Sequence, residues 1–236
     1  SLVAAAMTIL APAIAAEKGV LSVIKAVMIR DGRIPLRNTL FHFFAPVISI
    51  GSGAPLGPES PSAQIGAGIG SFMAQVLKLD AREMRMYAAA GAGAAIAAVF
   101  GAPIAGVFFG IEVILLNDLK NSSLSALVIS CVVADIVSHA FIDESAISSG
   151  ITYSLGTVAS YPWFIVLALV CGLVSLLYLK SADIGKAMVS RLPTSPIARV
   201  VPVALLFGAA LCFIPEIFGT GYMVINGLVA GNYTPV

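Results

Sequence analysis

Charge is scarce in this chain. Its 236 residues carry 13 Lys and Arg and 12 Asp and Glu, 11% of the sequence, where a soluble domain has about 25%. The formal net charge of +1 excludes a nucleic-acid binder that depends on a basic surface. Histidine is scarcer still. His42 and His139 have no companion at ligand spacing, which argues against a zinc site. The three cysteines, Cys131, Cys171 and Cys212, stand far apart within apolar runs. They read as small core residues and not as a disulfide frame or metal cluster. No His-Glu-x-x-His or Gly-x-Gly-Asp sequence occurs. The few polar residues in apolar segments make no nucleophile–base set, so an intramembrane hydrolase is a distant reading and no cofactor is expected.

Hydrophobicity is what the chain has in excess. Apolar residues make up 59% of it and the mean hydropathy is +1.00, so an integral membrane protein is expected. The apolar segments run over about 2–16, 38–50, 61–77, 84–100, 103–116, 122–142, 160–179, 197–214 and 222–230. Several fall short of the roughly 20 residues that span a bilayer as a helix. Gly or Pro punctuates nearly every junction. Short, interrupted helices mark channels and transporters whose half-helices point their ends at a central site; long helices kinked at Pro are the alternative. The first segment has no basic leader region or cleavage site, so it does not read as a signal peptide. The apolar start and the stop at Val236 without a polar tail read as cut ends of a longer membrane domain.

Loop charges suggest an orientation. Residues 25–37 hold Lys25, Arg30, Arg33 and Arg37 against Asp31; residues 180–199 hold Lys180, Lys186, Arg191 and Arg199 against Asp183; residues 143–158 hold only Asp143 and Glu144. The excess of basic residues puts the first two loops in the cytoplasm and the third outside. Small residues crowd 88–106 and are expected to let helix backbones pack closely.

One carboxylate stands out. Between residues 38 and 77 Glu59 is the only charged side chain. A carboxylate at the bilayer centre costs roughly 2.5–3.5 kcal/mol on insertion scales and is a functional-site hypothesis by default. Irregular backbone at that depth is tolerated only where protein buries it or it lines a polar cavity. Ser60 suits an N-cap and Pro61 the first helical position, so a helix over 61–77 is expected to begin just after Glu59. Its unpaired N–H groups and positive dipole end welcome an anion. Glu59 then either occupies that site until an anion or proton displaces it, or merely caps the helix. The first reading is preferred, because a pure scaffold gives Glu59 no reason to stay in hydrocarbon. Gly101-Ala102-Pro103 repeats the pattern of a break followed by Pro at the start of a short helix, 103–116. Glu112, near the end of that helix, is the only charged residue between Arg85 and Asp118; it reads equally as an interfacial carboxylate or a functional one.

Gly57-Pro58-Glu59-Ser60-Pro61-Ser62-Ala63-Gln64-Ile65-Gly66 resembles the Gly-Arg-Glu-Gly-Pro-x-x-Gln-Ile-Gly motif of CLC chloride channels and proton-coupled chloride antiporters. Residues 101–113, Gly-Ala-Pro-Ile-Ala-Gly-Val-Phe-Phe-Gly-Ile-Glu-Val, are similar to that family's Asn-Ala-Pro-Leu-Ala-Gly-x-x-Phe-x-x-Glu segment. The resemblance implies an all-α membrane fold, an inverted-repeat bundle of tilted and partly non-spanning helices. It implies the first repeat over 1–142 and the start of the second over 160–236, within one transmembrane domain. It further implies a homodimer in the cell (inner) membrane, surrounded by lipid, that passes chloride or similar anions and binds halide. Glu59 would be the gate, and Gly57, Pro58, Ser60 and Pro61 would lie at the anion site, with the backbone N–H groups of Ser60 and Glu59 lining it. The family's further anion-binding elements, a Gly-x-Phe-x-Pro loop and a coordinating Tyr, would lie beyond Val236.

The departures from the family pattern carry information. Antiporters of the family have a second glutamate at the position of Val113, as the internal proton acceptor; Glu112 matches the first. Valine cannot relay a proton, which favours channel-like flux. A proton-coupled antiporter for chloride or fluoride, with another proton route, is the alternative. Pro58 replaces an Arg and Ser60 a Gly. Lys18 falls where the family has an anion-coordinating Ser. It either holds an anion, pairs with Glu59, or pairs with Glu17 at the interface.

Overall fold

The computed structural model describes residues 2–17, 19–116, 122–141, 161–190 and 196–229. Among them there are helices and no strand. The helices are α1 (Leu2–Leu10), α2 (Pro12–Ala16), α3 (Val20–Ile29), α4 (Leu36–Gly51), α5 (Glu59–Val76), α6 (Ala81–Phe100), α7 (Pro103–Phe108), α8 (Ser122–Phe141), α9 (Tyr161–Ser190), α10 (Pro196–Phe213) and α11 (Tyr222–Val229). A π-helical turn, Phe109–Ile114, continues α7, and a 3-10 turn, Pro215–Ile217, precedes α11. Leu124–Phe141 and α9 are the described helices long and apolar enough to cross a bilayer. Most others are short, as their Gly and Pro boundaries require.

The boundaries follow local chemistry. Pro12 and Pro103 open α2 and α7, where the missing N–H costs nothing. Asp80 caps α6, its side chain accepting from the Glu83 N–H at 2.7 Å. Gly101 ends α6 in the left-handed conformation, φ +60°. Pro46 and Pro202 sit inside α4 and α10, so helices carrying an internal Pro occur alongside the short ones.

Two expectations need correction. Residues 17–37, which lie between the first two apolar segments, contain the helix α3. Lys25 interrupts the apolar run, but Val23, Ala26 and Val27 form a buried stripe at helical spacing. The basic segment 180–199 is helical as far as Ser190, because α9 continues through Lys180, Asp183 and Lys186. Thirty residues make a helix about 45 Å long, more than the roughly 30 Å hydrocarbon core, and its charged residues all fall at the C-terminal end, from Lys180 on. The acidic loop 143–158 lies outside the described residues.

The core is a stack of α5, α6, α7 and α8 held together by small residues. Gly66 on α5 and Gly91 on α6 face each other so closely that a Cβ on either would overlap the other's carbonyl oxygen. Gly93 on α6 and Gly106 on α7 repeat the arrangement. The density of small residues over 88–106 is therefore packing, as expected. Cys131 of α8 is buried beside Gly93, whereas Cys171 and Cys212 are exposed on α9 and α10 and are not core residues. At one end of the stack Asp31 pairs with Arg85, which brings the basic 30–37 loop and the start of α6 to the same side.

Candidate functional site

The site is where the starts of α3 and α5 meet. Helix α5 begins at Glu59 with Pro58 as N-cap, two residues earlier than Ser60 and Pro61 suggest. Pro58 is already in a helical conformation (φ −78°, ψ −7°), and Pro61 falls in the first turn, where no intrahelical acceptor is lost. Ser60 is not a cap. Its Oγ instead accepts from the Val20 N–H at 3.2 Å, tying the start of α3 to the start of α5.

Gln64, one turn further along α5, completes the tie. Its Oε1 accepts from the Gly19 N–H at 3.0 Å. Its Nε2 donates to the Glu17 carbonyl and to Ser22 Oγ, both at 3.0 Å. Gln64 is buried, so breaking these bonds would leave an amide unpaired, at a cost of about 1–3 kcal/mol. The loop that carries Lys18 is thus clamped on both flanks. Lys18 itself lies outside the described residues. The Glu17 carboxylate accepts from Arg30 Nη1 at 3.0 Å and Asn38 Nδ2 at 3.1 Å.

A cavity of about 470 Å³ opens beside the junction, lined by Gly19, His42, Gly57, Ser60, Pro61 and Gln64 among others. It has room for a hydrated small anion. His42 is buried, with Nε2 3.2 Å from the Ile14 carbonyl oxygen. The half-buried Glu59 folds its carboxylate back over Gly57, where a Cβ would overlap it. Its Oε1 accepts from the Tyr222 hydroxyl at 3.2 Å. The structure therefore brings Gly57, Pro58, Glu59, Ser60 and Pro61 together at one helix start.

Gly57 makes one expectation concrete. The atoms a Cβ would meet are the far end of a flexible side chain. Gly57→Ala should change unfolding by less than about 1 kcal/mol while displacing the Glu59 carboxylate. Thermal unfolding and chloride efflux from liposomes, measured together, check this: near-native stability with faster efflux at neutral pH is expected.

Glu112 and Val113 stand apart from this junction, on the π-helical turn after α7. Glu112 is exposed and Val113 packs partly buried against the core. Sequence reasoning assigned no role to Gln64, although it lies inside the quoted motif. It also passed over Asp135, in the middle of the apolar α8, whose Oδ1 lies 3.3 Å from His139 Nδ1. Among the described residues no group of His, Cys, Asp and Glu could hold a metal ion.

Short, broken helices, with the starts of α3 and α5 tied together beside the Glu59 carboxylate, are the pattern of multi-pass channels and transporters. The comparisons agree. The voltage gated chloride channel family model matches residues 1–236. The chain belongs to this family of transporters and channels, and it is not an enzyme. It is 29% identical over 217 residues to a ClcB-like protein of Ralstonia nicotianae, covering 90% of this chain and 50% of that one. It is 28% identical over 199 residues to the H(+)/Cl(-) exchange transporter ClcA of Vibrio vulnificus, covering 81% of this chain and 42% of the relative. The crystal structure of a slow cyanobacterial Cl⁻/H⁺ antiporter matches with a TM-score of 0.75 at 21% identity, covering 99% of this chain and 55% of that one. The fold is thus of the CLC type, and the chain spans about half the length of the curated relatives it matches.

Proposed function

We propose that the protein passes chloride or a similar small anion across the cell (inner) membrane along a path that Glu59 gates. The observation that carries this reading is the position of the Glu59 carboxylate. It stands at the first residue of α5, beside a cavity lined by Gly57, Ser60 and Pro61. The N-terminal end of a helix attracts negative charge. The carboxylate and a mobile anion compete for that end, and protonation of Glu59 releases it. Ser60 and Gln64 hold the two helix starts in place, and Lys18 on the clamped loop adds a positive charge nearby in sequence. Halide is the bound species and no cofactor takes part. The working form is a homodimer in lipid, with the first repeat over 1–142 and the second beginning at 160.

Two modes of passage are distinguished by different observations. Val113 supports channel-like flux, because a packed valine cannot relay a proton. The ClcA relatives, named as H(+)/Cl(-) exchangers, support proton-coupled exchange at least as well, with Glu112, beside Val113 in sequence, as the titratable candidate. The test is a reversal potential for the native protein in liposomes, with a fixed chloride gradient and a varied pH gradient. A potential that follows chloride alone identifies a channel. A potential that moves with the pH gradient identifies exchange and makes Glu112→Gln the next variant.

A further inference from the structure

The segment 215–222 leans on the segment that leads into the gate. The Gly219 N–H donates to the Gly53 carbonyl at 3.3 Å. The ring of Phe218 lies so close over Gly53 that no side chain would fit there. At the end of this contact the Tyr222 hydroxyl donates to Glu59 Oε1 at 3.2 Å. Tyr222 is the first residue of α11 and stands 163 residues from Glu59. The contacts therefore join the start of the proposed second repeat to the gate of the first.

We infer that Tyr222 is a latch that holds the Glu59 carboxylate in its closed position. The inference rests on the gate reading above and adds a residue to it. A phenolic O–H donating to a carboxylate favours the ionised form, because the anion is the stronger acceptor. The protonated carboxyl accepts more weakly. The latch thus grips the closed, charged gate and lets go on protonation. Phe218 and Gly219 fix the register of the turn, so the hydroxyl reaches Glu59 without a long flexible tether. Among the described residues, the other titratable groups near the junction are Glu17 just before α3, paired with Arg30, His42 of α4, across the cavity that Gly57 and Ser60 line, and Glu216 of the preceding 3-10 turn, which shares a cavity of about 780 Å³ with Gly51 and Phe218. Lys18 belongs by sequence to the facing loop. Tyr222, on α11, is hydrogen-bonded to the Glu59 carboxylate directly.

The test is the pH profile of chloride efflux from liposomes for the native protein, Tyr222→Phe, Tyr222→Leu, Glu59→Gln and Tyr222→Phe combined with Glu59→Gln. Losing the hydroxyl should move the midpoint of activation up by about one pH unit, which is tenfold in the closed-to-open ratio at fixed pH. Tyr222→Leu should move it in the same direction, and serves if the Phe variant does not assemble. In the Glu59→Gln background, where the profile is flat, losing the hydroxyl should leave the efflux rate unchanged, whereas a structural role for Tyr222 would change the rate there as well. A native midpoint in the Tyr222 variants, with Glu59→Gln altered, overturns the latch and leaves the gate. An efflux rate that changes with the hydroxyl even without the Glu59 carboxylate also overturns the latch. An unchanged profile in Glu59→Gln overturns both.

Discussion

Glu59→Gln should open the path at neutral pH and flatten its dependence on pH. The amide is close in shape to the carboxylate but cannot ionise. It loses the attraction between a negative group and the start of α5, worth up to about 2 kcal/mol in a partly buried position. It also weakens the bond from Tyr222, since a hydrogen bond to a charged acceptor is about twice as strong as a neutral one. A loss of about 1–2 kcal/mol in the closed state is a factor of roughly 5–30 in the closed-to-open ratio. Efflux assays from pH 4 to 8 read this directly. The variant should run at a nearly constant rate, equal to or above the fastest native rate. The variant keeps the shape of the helix start, so its stability should be close to native.

Gly91→Val should have a large structural effect. Gly66 and Gly91 present carbonyl oxygens to each other's Cα across the α5–α6 crossing. A side chain there meets backbone, which cannot rotate away. Overpacking a tight core costs typically 1–3 kcal/mol, and a branched residue against a carbonyl lies at the high end or beyond. The expected outcome is loss of the monodisperse peak when the purified variant is run by size exclusion in detergent. Gly51→Ala is the matched control, because a Cβ at Gly51 meets nothing within 4 Å; it should elute as native. Because α5 carries Glu59 at its start and Gly66 two turns on, the crossing that sets stability also aims the gate.

Much of this architecture was legible because its signals are local. Pro103 after Gly101 announced the α6–α7 break, and the apolar runs at 38–50, 197–214 and 222–230 fall within a few residues of α4, α10 and α11. Other features depended on competition that a local pattern does not contain. Helix α3 was hidden by one lysine that simply points outward. Ser60 has the right chemistry for an N-cap, but the Val20 N–H takes its oxygen first. The π-helical turn at Phe109–Ile114 closes through the Leu115 N–H to the Gly110 carbonyl at 3.0 Å, a geometry with no sequence signature. Such turns recur at functional positions, and this one carries Glu112. Gln64 was visible as a polar residue in an apolar helix, yet its role needs the loop 45 residues earlier. The contact from Tyr222 to Glu59 is more distant still and could only be found in three dimensions.

The central claim is that the Glu59 carboxylate and a transported anion compete for the start of α5. The most direct measurement is calorimetric titration of chloride into the native protein and Glu59→Gln across the same pH range. The native protein should bind chloride more weakly as pH rises and Glu59 ionises, while the variant binds with one pH-independent affinity at or above the native acidic value. Equal and pH-independent binding in both proteins would contradict the claim.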